Sequence, residues 1–158
     1  MMKKLIAFTI VVATMLTLIS CGSMKYLPVS VSKRQSFSKY EYVYVDHMRS
    51  NGSFSYDGCN MLAGMLMKKG FVVLSQFDYL DLEPSKASKT MVAIVGVGRK
   101  RAMGLFGDQT AQEVTLQFVS ASTNDLICVC TGEGSSSSGT PWGNVEAAVV
   151  RCVESLFP

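Results

Sequence analysis

The chain has little of what enzyme chemistry usually draws on. It holds one histidine in 158 residues, His47. It lacks GxGxxG, GK[ST] and Cys-x-x-Cys motifs, so no phosphate-cradling loop or tight thiolate pair is written into it. Its 12 acidic residues are scattered without the helical pairing that would set two carboxyls across a substrate. His47 follows Asp46 and has the ring of a general base, but no Ser or Cys motif places an activated nucleophile beside it, so it reads as a solvated loop residue. No stretch repeats, and no apolar run reaches a comfortable membrane-spanning length: Leu5 to Leu18 is relieved by Thr9, Thr14 and Thr17 and soon ended by Gly22, Ser23, Lys25 and Pro28. These absences leave no catalytic residue and no cofactor to name, and they exclude no binding role.

What is present is concentrated at the N-terminus. Met1-Met2-Lys3-Lys4 is a short positive segment, the apolar run follows, and Leu18-Ile19-Ser20-Cys21 closes it before Gly22, Ser23, Lys25 and Pro28. That order is a secretory signal, residues 1–20. Its last four residues resemble the bacterial lipobox: a branched apolar residue, two tolerant positions with a small one last, then cysteine. The resemblance implies cleavage between Ser20 and Cys21, a diacylglyceryl thioether on Cys21, and a further acyl chain such as palmitate on the new amine. Two or more chains hold a protein stably, at roughly 0.8 kcal/mol per buried methylene. Removing residues 1–20 takes Lys3 and Lys4 with it, leaving 13 basic against 12 acidic residues, which gives no reason to expect nucleic acid as a partner. The residues after Cys21 carry no acidic cluster, which by general lipoprotein sorting points to an outer-membrane location facing the periplasm.

The mature chain suits one domain. Residues 21–38 (CGSMKYLPVSVSKRQSFS) are polar, basic and Ser-rich and read as a tether; residues 39–158 read as the domain. Tyr40 to Val45 is rich in aromatic and β-branched residues, a strand. Cys59, Leu62, Ala63 and Leu66 recur at helical spacing, and Lys68-Lys69-Gly70 closes that helix with cations and a stop. Residues 71–74 read as a buried strand, 76–90 as a long loop, and 91–97 as a strand. Residues 114–119 and those after the turn at 122–125 form a hairpin. Gly132 to Gly139 reads as a flexible connection. Thr140-Pro141 then opens a helix whose stripe is Val145, Ala148, Val149, Cys152, Val153, Leu156 and Phe157. The order is β-α-β-β-β-β-α: an α+β two-layer sandwich, mostly antiparallel, with two helices on one face. This order, from the helix ending in Lys-Lys-Gly-Phe through VTLQFVSASTNDLICV to the closing Leu-Phe-Pro, resembles small periplasmic lipoprotein domains of unknown function, and more loosely the N-terminal domain of TolB-type proteins and curli-secretion lipoproteins. It implies fold only; no functional residue is carried over.

Two features of the domain invite chemistry. Cys59 and Cys152 each fall on the apolar stripe of a helix, while Cys128 and Cys130 share one face of a strand. Three readings stand open: a disulfide such as Cys59–Cys152, suited to an oxidising compartment; buried thiols filling a core; or a thiol redox or metal site using all four. The other feature lies between strands, where Gly96-x-Gly98 and Gly104 to Gly107 read as a mobile hairpin tip. There Arg99, Lys100 and Arg101 precede Met103, Leu105 and Phe106, cations beside apolar side chains, as suits an anionic lipid surface or a protein groove. The expectation is a membrane-anchored, non-enzymatic envelope lipoprotein, held by lipid on Cys21, that binds another envelope protein. Thiol redox or metal binding is the alternative.

Overall fold

The computed structural model describes residues 28–52, 54–104, 107–134 and 141–158, leaving aside the side chains of 99–104, 107–111, 141 and 142. Six strands form one open, mixed sheet: β1 (Ser30–Lys33), β2 (Tyr42–Val45), β3 (Val72–Leu74), β4 (Thr90–Gly104), β5 (Gly107–Ser120) and β6 (Leu126–Gly134). Their spatial order is β1-β6-β5-β4-β2-β3. Among the described residues there are four helices: α1 (Ser55–Lys68), α2 (Gln76–Leu80), α3 (Pro84–Ala87) and α4 (Pro141–Leu156). None of them is long and apolar enough to cross a membrane.

The α+β class holds, while the arrangement differs from the expected one in four places. First, the sheet is not simply antiparallel. β1, β6, β5 and β4 pair antiparallel, but β2 runs parallel to both β4 and β3. The reason is α1: a helix between β2 and β3 carries the chain back to the sheet's starting edge, so the next strand must run the same way. Second, residues expected as tether belong to the domain. β1 pairs with β6, Ser30 opposite Thr131 and Lys33 opposite Cys128, and Phe37 and Tyr40 are buried in the main core. Third, the expected loop at 76–90 contains α2 and α3. Ser75 caps α2 in a reciprocal capping box with Asp78. Fourth, the glycines read as a mobile tip and as a flexible connection are strand. β4 and β5 pair in register as far as Gly104 opposite Gly107, and Gly132 to Gly134 end β6. Residues 135–140, the rest of that connection, lie outside the described residues.

One sheet face carries the main core. Val43, Val45, Met91, Ala93, Val95, Val114, Leu116, Phe118, Cys128 and Cys130 meet Cys59, Leu62 and Leu66 of α1, and Val145, Ala148, Val149, Cys152 and Val153 of α4. α1 ends as its sequence expects. Gly70 takes φ +92, and the N–H groups of Gly70 and Phe71 donate to Met67 and Leu66 carbonyls, satisfying the last turn. An aromatic group closes the lower end: Phe37 lies 4.7 Å from Phe157 and 5.5 Å from Phe118, and Phe71 lies 5.2 Å from Phe157, ring centre to ring centre. Lys69 Nζ donates to the Phe157 carbonyl and ties the C-terminus to α1.

The other face is half covered. Tyr44, Leu74, Val92 and Val119 form a second cluster under Tyr79 and Leu82, with Tyr44 and Tyr79 stacked 4.2 Å apart. Beyond Ile94 that face has no helix over it among the described residues.

Candidate functional site

The uncovered part of the sheet is flanked by a rail built from residues 46–52. Asp46, 5% exposed at the end of β2, accepts hydrogen bonds at Oδ1 from the backbone N–H groups of Met48 (2.9 Å) and Arg49 (3.0 Å). Its Oδ2 pairs with Arg49 Nε at 2.9 Å. Ser50 then saturates its hydroxyl: Oγ donates to the Asp46 carbonyl and accepts from Val95 N–H and from the Cys59 thiol. Asn51 continues alongside β4, donating to the Val95 carbonyl and accepting from Val97 N–H. Gly52 has φ +96 there, and a Cβ on it would run into the Val97 carbonyl, so the close approach needs glycine.

Between this rail and the sheet lies a groove of about 450 Å³, lined by Arg49, Asn51, Ile94, Gly96, Glu113 and Gln117 among others. Gly96 and Gly98 carry no side chain into it, and Thr115 Oγ1 lies 3.2 Å from Thr131 Oγ1 across its floor. A half-exposed guanidinium, an amide, a carboxylate and hydroxyls make a polar wall suited to hydrogen bonding. His47 is exposed with its ring 5.2 Å from that of Tyr56, which gives it a packing partner rather than a nucleophile. Sequence reasoning missed this groove. Its signal was present in the alternation of small or polar Gly96, Gly98, Thr115 and Gln117 with core residues, which marks a sheet face left open.

The structure brings the domain thiols to one core but not into one site. Cys59, Cys128, Cys130 and Cys152 are all buried and free. Cys59 donates to Ser50 Oγ at 3.2 Å, and burial pushes its thiol up. Cys152 stands instead beside Cys130. The Cys130 thiol donates to the Cys152 carbonyl at 3.8 Å. The neighbouring Cys130 side chain and burial push the Cys152 thiol up. Burial likewise raises Cys128. The expected pairing of Cys59 with Cys152 is therefore not the juxtaposition found; Cys130 with Cys152 is. Among the described residues no three of His, Cys, Asp and Glu are grouped so as to hold a metal ion.

The expected interaction loop is the end of a two-stranded ribbon. β6 reaches only to Gly134, opposite Gln112, whereas β4 and β5 continue from Arg99 opposite Gln112 through Lys100, Arg101 and Met103 to Gly104 opposite Gly107. Leu105 and Phe106 lie outside the described residues, as do Ser20 and Cys21 at the expected cleavage and lipidation site.

No family model matches the chain, and no curated protein sequence matches it. Among solved structures it is similar to PelC from Paraburkholderia phytofirmans, solved as a dodecamer. The TM-score is 0.56 at 12% identity, covering 82% of this chain and 97% of that one. A single-substitution form of the same protein, also a dodecamer, gives a TM-score of 0.57 at 14% identity, covering 82% and 96%. Lipoprotein GNA1162 from Neisseria meningitidis also matches, at a TM-score of 0.40 and 15% identity over 72% of this chain and 98% of that one. At these identities the first two establish a shared fold; the third is too distant to add to that.

Proposed function

We propose that the chain is a lipid-anchored, non-enzymatic lipoprotein of the bacterial cell envelope, most consistent with an outer-membrane address facing the periplasm, whose domain works by binding an envelope protein partner. The observation that carries the reading is the lipobox ending at Cys21, with the sheet beginning only nine residues later at Ser30. Such a short link ties the folded domain closely to its anchor. The polar groove beside Arg49 and the half-covered sheet support a binding role, and the fold shared with a protein solved as a dodecamer supports copies of this chain as the first partner to look for.

Intact mass of the chain extracted in detergent from its host tests the anchor: residues 1–20 absent and acyl mass on Cys21 is the expected result. Native mass spectrometry of the same extract reads the partner, with expected complexes heavier than one copy. An unmodified Cys21 or a strictly monomeric extract overturns the corresponding half of the reading. The alternative, thiol redox chemistry, draws on the adjacency of Cys130 and Cys152 and predicts a thiol pair that titrates reversibly with a disulfide reagent in the folded chain.

A further inference from the structure

The strand directions and the length of the N-terminal link together say which end of the domain faces the bilayer. β1 is antiparallel to β6 and β6 to β5, so β1 and β5 run the same way. Ser30 lies level with Thr115, through Thr131. The chain before Ser30 therefore leaves toward the Gly107 end of β5, the end where, among the described residues, β4 and β5 pair only with each other. From Thr115 to Gly107 is eight residues, or about 26 Å of strand. From Ser30 back to Cys21 is nine residues, a reach of at most about 30 Å. The two lengths agree, so a lipid on Cys21 and the ribbon end can meet one plane.

The composition of the ribbon fits that plane. β4 places Arg99, Lys100 and Arg101 in succession, then Met103, at register positions opposite Gln112, Ala111, Thr110 and Asp108. Within the ribbon segments Arg99–Gly104 and Gly107–Ala111, Asp108 is the one acid against three cations. By strand alternation, positions 99 and 101 share one face of the ribbon and position 100 belongs to the other. The opposite end of the strands mixes the two signs: Lys33 and Arg34 stand where β1 ends, Lys89 pairs with Glu41 just before β4, and the turn after β5 carries Asp125.

We infer that the β4–β5 ribbon, through Arg99, Lys100, Arg101 and Met103, docks on the anionic phospholipid headgroups of the membrane that holds the Cys21 lipid. The inference rests on the anchor reading above. Docked in this way, the domain stands upright, with its strands along the membrane normal and the groove at Arg49 open to the side, where a partner can reach it.

The test places a tryptophan at either end of the lipid-anchored mature chain, M103W or S122W, each in a W142F background. Both are reconstituted into vesicles of phosphatidylethanolamine and phosphatidylglycerol with brominated acyl chains. Met103→Trp fluorescence is expected to be quenched several-fold more than Ser122→Trp. Adding R99S, K100S and R101S should erase that difference, and in the unanchored C21S chain the same triple change should weaken partition to anionic vesicles by about two orders of magnitude. Equal quenching at the two ends, stronger quenching at residue 122, or an unchanged triple variant would overturn the inference; an unchanged denaturation midpoint for each variant certifies that it is folded. If the host leaves Cys21 bare, the anchor reading fails separately. The comparison then runs on chains coupled through Cys21 to a maleimide lipid, which the burial of the four other thiols makes selective.

Discussion

Replacing Gly134 by alanine should break the seat of α4, and the size of the effect follows from what the new methyl would strike. Gly134 is buried at the end of β6, and a Cβ there would collide with the Asn144 carbonyl oxygen and come within 2.5 Å of Ala148 N and 3.1 Å of Ala148 Cα. All three are backbone atoms of α4, so no rotamer change relieves them, and ordinary contact requires the helix to back away by about 1 Å. That helix presents Val145, Ala148, Val149, Cys152 and Val153 to the sheet at 0% exposure, so the retreat loosens a whole packed face. Overpacking a core typically costs about 1–3 kcal/mol, and an unyielding obstacle puts G134A at the upper end, about 3 kcal/mol. For a domain of this size that lowers Tm by about 10 °C. Gly132→Ala makes an internal comparison. Its Cβ would meet the Cys152 sulfur at 2.7 Å, a side-chain atom that can turn aside, so about 1–2 kcal/mol is expected. Gly64→Ala, inside α1 with nothing within 4 Å, should instead stabilise by about 0.5–1 kcal/mol through helix propensity. Thermal and urea denaturation of the three variants, followed by circular dichroism, reads the ranking. A G134A chain that melts within about 2 °C of wild type would refute the close approach of α4 to β6.

Two further outcomes follow from the thiols. When the folded chain is treated with diamide, the first cross-link should join Cys130 to Cys152, since the Cys130 sulfur already lies 3.8 Å from the Cys152 carbonyl; peptide mapping that found Cys59 linked to Cys152 would contradict the packing described. Stability should also respond to alkaline pH. Burial raises the Cys59 and Cys128 thiols above the value of about 8.5 that an unfolded cysteine has, so the stability their neutral forms contribute is complete below that pH and is lost as pH climbs through the folded values. The urea midpoint should hold level from about pH 7 to 8.5 and then fall, less steeply in a Cys128→Ala chain; a midpoint flat to about pH 10 would count against this account.

Much of the frame was legible in residue order. The stripe from Val145 to Leu156 reads as one buried helix face because successive turns repeat it, and all its inward members are buried. Lys68-Lys69-Gly70 reads as a helix stop because glycine alone takes the left-handed turn cheaply, and Gly70 does so at φ +92. What failed to show were segments whose partners are distant in sequence. Ser30 to Lys33 is short and exposed along its length, with Val31 its one apolar residue, so nothing local separates it from a tether; it becomes a strand because β6 offers an open edge. The glycines at 96–107 and 132–134 look like breakers until strand partners and an approaching helix make their lack of a side chain an advantage. The groove was hidden for the same reason. Arg49 and Glu113 lie far apart in the chain, and only the register of β4 with β5 and the Asp46 turn bring them to one wall.

The proposed address and anchor rest on sequence alone, because a lipobox is read as an extended string by enzymes that act on it before any domain folds. The α+β class came from sequence too, because apolar periodicity dictates which faces must leave water whatever covers them. Tertiary structure decided the rest: the mixed sheet, the half-covered face, the placing of Cys152 beside Cys130, and the extension of β4 and β5 past their pairing with β6. Each depends on which distant segment wins a shared edge or face, and that contest is settled by packing and backbone hydrogen bonding across the whole chain.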